Sequence, residues 1–219
     1  MYRLALWLLA VTASPTVVDR PLPFPEERAA LTLAYRAAHT GEAAPSLEIT
    51  PRVIVLHWTG SASLEGAWQT FAPSTLSGRA DVAKGGALNV SAHFLVDRDG
   101  TIYRLLPETR MARHCIGLNH VAIGVENVGD GAAAPLTDAQ VAANVALIRD
   151  LTSRYPITHL IGHHEYRTME GHPYFAEVDP SYRTVKVDPG DTFMARVRAE
   201  VKGLGLLGGA ARDAARAPP

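Results

Sequence analysis

The sequence predicts an α/β fold: a single layered domain with a mixed β-sheet flanked by helices on both faces. Three observations predict it. Apolar, β-branched runs of strand length recur at residues 52–59, 122–128 and 158–161. An Asp97-Arg98-Asp99-Gly100 turn separates β-rich residues 90–96 from 101–106 and predicts an antiparallel hairpin. Between these strands, Val141, Val145, Ile148, Leu151 and Tyr155 repeat at helical spacing. With 219 residues, 47% of them hydrophobic, the chain supports one substantial core and not two large domains.

Taken in order, the first residues carry Arg3, a short apolar stretch and then Val11-Thr12-Ala13, the layout of a signal peptide over 1–13. The stretch falls well short of the ~20 residues a bilayer span needs, so the mature chain is expected to have no membrane span. No cysteine follows it to accept a lipid. These features predict export, to a periplasm or out of the cell. Residues 14–50 read as a linker and an N-terminal helix. Residues 14–25 are proline-rich and extended. After Pro25, Glu26 and Glu27 complement a helix N-terminus, and Gly41 can end the helix. The domain proper spans 51–202.

Inside it, the strand at 52–59 ends near His57, one or two helical turns follow at 64–71, and a Gly- and Ser-containing loop runs to Asn89. In the strand at 122–128, alternation puts Ile123 and Val125 on one face and Gly124 and Glu126 on the other, so one carboxylate points away from the apolar layer. Thr137 followed by Gln140 forms a capping box for the central helix. A short strand at 158–161 feeds His163, and 192–202 reads as a last helix. From 203 to 219 glycine and alanine dominate, and a flexible tail is expected.

Charge excludes some partners. With 21 basic and 22 acidic residues there is no electrostatic footprint for nucleic acid or for an anionic membrane surface. Cys115 is the one cysteine, so no intramolecular disulfide forms, and it reads as a packed small apolar residue.

The sequence predicts a zinc site at His57, His163 and Asp188. Two imidazoles and a carboxylate suit Zn²⁺, and three protein ligands leave a fourth position for water, the open coordination of a catalytic site. Taken singly, each of nine histidines is more often a surface or core residue. The contexts raise these three, because two follow β-branched runs that end at a sheet edge and the third lies in a Pro-Gly turn before a helix.

The segments VLHWTG, SAHFLVDRDGTIYRLL, AIGVENVG, IGHHEYR and KVDPGDTF occur here in the order seen in the zinc-dependent N-acetylmuramoyl-L-alanine amidases, whose superfamily includes the peptidoglycan recognition proteins. The resemblance covers about residues 50 to 200 and is closest to the branch with Asp as third ligand. It implies that 51–202 is a zinc amidase domain and that peptidoglycan or muropeptides are its partners. It selects His163 over His164 as the ligand, since the family's pattern places the ligand directly after Gly.

The resemblance further implies that Glu126 is the general base, against the alternative of an ordinary strand glutamate. It implies that Lys186, which shares a face with Asp188, stabilises an oxyanion, where a solvated lysine is the plain alternative. Ala92 stands where parts of the superfamily carry tyrosine, so Tyr-assisted catalysis is excluded. His93 matches a common histidine of the fold and reads as structural. Trp58, His114 and Asn119 fall where cleft-lining residues occur and are candidate substrate contacts. The aromatic-containing segment 168–185 lines the substrate groove or packs on the domain. Two other functions stay open beside the amidase: a peptidoglycan-binding module without catalysis, and a zinc peptidase acting on stem peptides.

Overall fold

A computed structural model describes residues 14–209. Six strands form one sheet in the order β1-β4-β3-β5-β2-β6, where β1 is Val17–Asp19, β2 Val53–Trp58, β3 Phe94–Val96, β4 Ile102–Arg104, β5 Ala122–Asn127 and β6 His159–Gly162. Only the β3–β4 hairpin is antiparallel; the other four pairings are parallel. The signal peptide expected at 1–13 lies outside the described residues.

Strands β2 and β5 sit centrally and are covered on both faces, which explains why β2 reads as an unbroken apolar run up to His57. Alternation divides their side chains. Ile54, Leu56, Ile123 and Val125 pack with Phe94, Leu147 and Val197 under α4 (Asp138–Arg154) and α5 (Asp191–Val201). Val53, Val55 and Ala122 face the opposite layer, with Tyr35 of α1 (Glu26–Thr40), Met111 and Tyr182. A third cluster packs Ala67 and Phe71 of α2 (Leu64–Phe71) against Leu95 and Val128. Helices therefore cover both faces.

The capping box on α4 forms as the sequence predicts: Gln140 N donates to Thr137 Oγ1 at 3.1 Å and Thr137 N to Gln140 Oε1 at 2.9 Å. A cap of this kind stabilises by about 1 kcal/mol. Deeper in the helix, Asn144 Nδ2 donates to Asn127 Oδ1 at 2.7 Å, and Asn127 Nδ2 donates to His57 O at 3.0 Å. This buried chain fixes the end of β2 from which the His57 side chain leaves the sheet.

Several expectations change. Residues 17–19 of the expected linker form an edge strand parallel to β4, continued by Arg20 N to Arg104 O and Leu22 N to Leu105 O, both 2.9 Å. A three-residue strand between prolines carries no readable alternation. The first hairpin strand begins only at Phe94, because the amides of Leu105 and Leu106 both converge on His93 O and break the regular ladder. A short helix, α3 (Ala80–Ala83), lies within the loop expected before Asn89. The described part of the expected tail is held: Leu207 N donates to Thr158 O and Leu160 N to Leu207 O, both at 2.9 Å. Among the described residues no helix is long and apolar enough to cross a membrane.

Candidate metal centre

Register assembles the site. His57 and Glu126 are partners across β2 and β5, in step with Val53↔Ala122 and Val55↔Gly124, so all six project from one face. On the other side of β2, Val55 pairs with Ile161 of β6, and His163 follows two residues later at the start of a 3-10 helix, His163–Met169. Asp188 comes from the segment before α5. Its carbonyl accepts from His164 N at 2.8 Å and from His164 Nδ1 at 3.1 Å, while His164 Nε2 bonds Asp191 Oδ1 at 3.0 Å. The two consecutive histidines thus divide: His164 pins the loop and His163 faces Asp188.

Asp188 Oδ2 lies 3.0 Å from His163 Nδ1 and 3.3 Å from His57 Nδ1, and the imidazole centroids are 4.3 Å apart. His57, His163 and Asp188, all buried, offer ligand atoms within 4.8 Å of one another, the one such group among the described residues. Ligands about 2.0–2.1 Å from a tetrahedral zinc are about 3.3 Å from each other, so the two carboxylate spacings fit that ion.

Electrostatics agree with the donor set. Burial, with the His57 ring close by, lowers the His163 pKa to about 4. It is therefore neutral near pH 7, as a ligand must be. Burial alone would raise the Asp188 carboxyl, but the His163 and His57 imidazoles beside it outweigh that and hold Asp188 well below the usual carboxylate range. Glu126 has no such partner. Burial pushes its carboxyl up to about 7, with His57 opposing and Asp188 adding to the shift, and its Oε2 is buried with no hydrogen-bond partner among the described residues.

These groups line a cleft of about 420 Å³ together with Trp58, Arg79 and Lys186. Lys186 and Asp188 face the cleft, while Val185 and Val187 between and before them are 86% and 67% exposed. Lys186 Nζ donates to Asp81 Oδ2 at 3.1 Å, and Arg79 holds the same carboxylate through Nε and Nη2, each at 3.1 Å. Sequence reasoning missed Arg79 and Asp81, which sit in a loop without periodic signal and reach Lys186 only through the fold.

Two candidate substrate contacts are engaged by the chain itself. Asn119 Oδ1 accepts from His114 N and Cys115 N, both at 2.8 Å, and its Nδ2 donates to Tyr35 Oη at 3.3 Å. Its amide holds the 114–119 turn at the cleft wall, which Asn119 itself lines. His114 likewise uses both ring nitrogens, toward His57 at 3.1 Å and Ala122 O at 3.2 Å. Trp58 stays at the rim, with Gly131 beneath its ring. His93 is fully buried, its Nδ1 accepting from Gly124 N at 3.0 Å and its Nε2 donating to Arg110 O at 2.8 Å. Cys115 is packed in the second core cluster, where burial pushes its thiol pKa well up. In segment 168–185, Tyr182 does both things the sequence left open, packing with Tyr35 and lining the cleft.

The family model described as N-acetylmuramoyl-L-alanine amidase matches residues 47–191. No curated protein matches the sequence significantly. Among solved structures, the endolysin N-acetylmuramoyl-L-alanine amidase LysCS from Clostridium intestinale superposes with a TM-score of 0.54 at 22% identity, over 87% of this chain and 97% of that one. Bumblebee PGRP-SA gives 0.50 at 17% identity, covering 84% and 94%. The amidase AmiD from E. coli, in complex with the substrate anhydro-N-acetylmuramic acid-L-Ala-D-gamma-Glu-L-Lys, gives 0.50 at 20% identity, covering 73% and 61%. At these identities the likeness is one of fold.

Proposed function

This chain belongs to the N-acetylmuramoyl-L-alanine amidase family, and from that premise we propose that it is an exported zinc hydrolase. It cleaves the amide between the N-acetylmuramoyl group and L-alanine in peptidoglycan or its fragments. The observation that carries this reading is the convergence of His57, His163 and Asp188, with the half-buried Glu126 beside them, on one cleft.

A zinc ion held by the three ligands would lower the pKa of a coordinated water to about 7 and polarise the scissile carbonyl. The rest of the chemistry belongs to the chain. Glu126, with its pKa at about 7, can take a proton from the attacking water and return it to the leaving amine at neutral pH. Lys186, held over the cleft by Asp81, places a positive charge where the carbonyl oxygen becomes negative. The cleft walls around Trp58 and Tyr182 hold the substrate and exclude water.

A binding module needs neither the ligand trio nor a carboxylate with a pKa near neutrality, which favours the hydrolase reading. Mass spectrometry of digested peptidoglycan separates the readings. Released intact stem peptides beginning with L-alanine support the amidase. Shortened peptides would make the chain a stem-peptide peptidase, and no products would make it a binding module. The export reading rests on residues 1–13. N-terminal sequencing of the extracytoplasmic protein should find a chain beginning shortly after Ala13.

A further inference from the structure

We propose that His114 is a positioning residue for the metal site: through a hydrogen bond it fixes the proton of His57 on Nε2 and so turns the His57 Nδ1 lone pair toward Asp188 and His163. The inference rests on the zinc reading above and goes one step behind it.

His114 Nε2 lies 3.2 Å from Ala122 O. A carbonyl only accepts, so Nε2 carries a proton, and the neutral ring keeps its lone pair on Nδ1. That Nδ1 is 3.1 Å from His57 Nε2. Two lone pairs do not face each other at this distance, so His57 Nε2 donates. What remains on His57 is an unprotonated Nδ1, the atom 3.3 Å from Asp188 Oδ2. The tautomer that binds a metal is thereby selected by a backbone carbonyl two hydrogen bonds away.

The surroundings are shaped to seat this ring. Gly124 lies under it, and a Cβ there would come within 2.6 Å of the imidazole. Asn119 clamps the His114 and Cys115 amides, and Tyr35 of α1 holds Asn119 in turn. The His57 and His114 ring centroids are 5.1 Å apart with the planes at 85°, a separation that allows the 3.1 Å contact between His57 Nε2 and His114 Nδ1. Partners of this kind orient a ligand and typically change metal affinity 10–100-fold.

The test is zinc affinity, measured by chelator competition on the purified full chain. His114→Phe keeps the ring's bulk and removes the acceptor; it should bind zinc 10–100-fold more weakly. His114→Asn puts a carbonyl oxygen near the Nδ1 position and should recover most of the loss. A Phe variant with wild-type affinity, or an Asn variant no better than Phe, overturns the proposal. Should the Phe variant not fold, nitrogen-15 spectra of the zinc-loaded wild type decide. A hydrogen-bonded proton on His57 Nε2 supports the proposal, and its absence overturns it. A wild-type protein that takes up no zinc defeats the metal reading itself, and this inference with it.

Discussion

His57 and Glu126 stand opposite each other in adjacent parallel strands, register partners whose side chains leave the same face of the sheet. That pairing puts a prospective metal ligand and a prospective base within one cleft without any loop having to bring them together. Strands buried on both faces are among the most rigid elements available. The precision a hydrolytic site requires is thus built into its most stable part.

Glu126→Gln is expected to lower turnover by ~10²-fold or more, because the amide copies the shape and cannot relay a proton. Zinc content should not change. Burial raises the Glu126 pKa, which means the folded state disfavours the ionised form. The neutral isostere should therefore leave the melting temperature of the metal-free protein at pH 8 equal to or above that of the wild type. Full muropeptide hydrolysis by the variant would remove Glu126 from the mechanism.

His163→Ala and His164→Ala should separate cleanly. The first loses the nitrogen beside Asp188 and should abolish zinc binding. The second loses the bonds to Asp188 O and Asp191 and should keep its zinc while losing about 1–2 kcal/mol of stability. Metal analysis and urea denaturation on both variants check this, and zinc retained by the first but not the second would shift the ligand by one residue.

Removing Lys186 tests the charge over the cleft. Lys186→Met should reduce kcat by ~10²-fold, corresponding to the ~3 kcal/mol of one well-placed oxyanion partner. Asp81→Asn, which only loosens that lysine, should cost less. Equal and small losses in both would reduce the pair to a surface tether.

Stability should fall with acid through His93. Burial lowers its folded pKa to about 4 from an ordinary 6.5. As pH drops below 6.5 the unfolded chain takes up a proton that the folded chain refuses, so stability declines until about pH 4, by roughly 3 kcal/mol. In His93→Gln, denaturation midpoints measured from pH 7 to 4 should show a shallower decline. An unchanged slope would place the acid sensitivity elsewhere.

The features legible in the residue order are local or periodic. Apolar alternation in 122–128 put Glu126 on the face opposite Ile123 and Val125, the Thr137–Gln140 pair predicted the start of α4, and the residue types at 57, 163 and 188 suited one metal. Each of these depends on neighbours a few positions away. The hydrogen bonds around the centre do not: His57 meets His114 across 57 residues and Lys186 meets Asp81 across 105. Such partners are set by strand register and by which loop lies over which, and no spacing in the chain encodes them. For that reason the bonds that Asn119 and His114 make within the cleft wall were not legible in the sequence, and Arg79 and Asp81 carried no signal. The resemblance chose His163 over His164 by its place after Gly, but the physical reason lies in the folded backbone, which turns His164 to the carbonyl of Asp188 and His163 to its carboxylate.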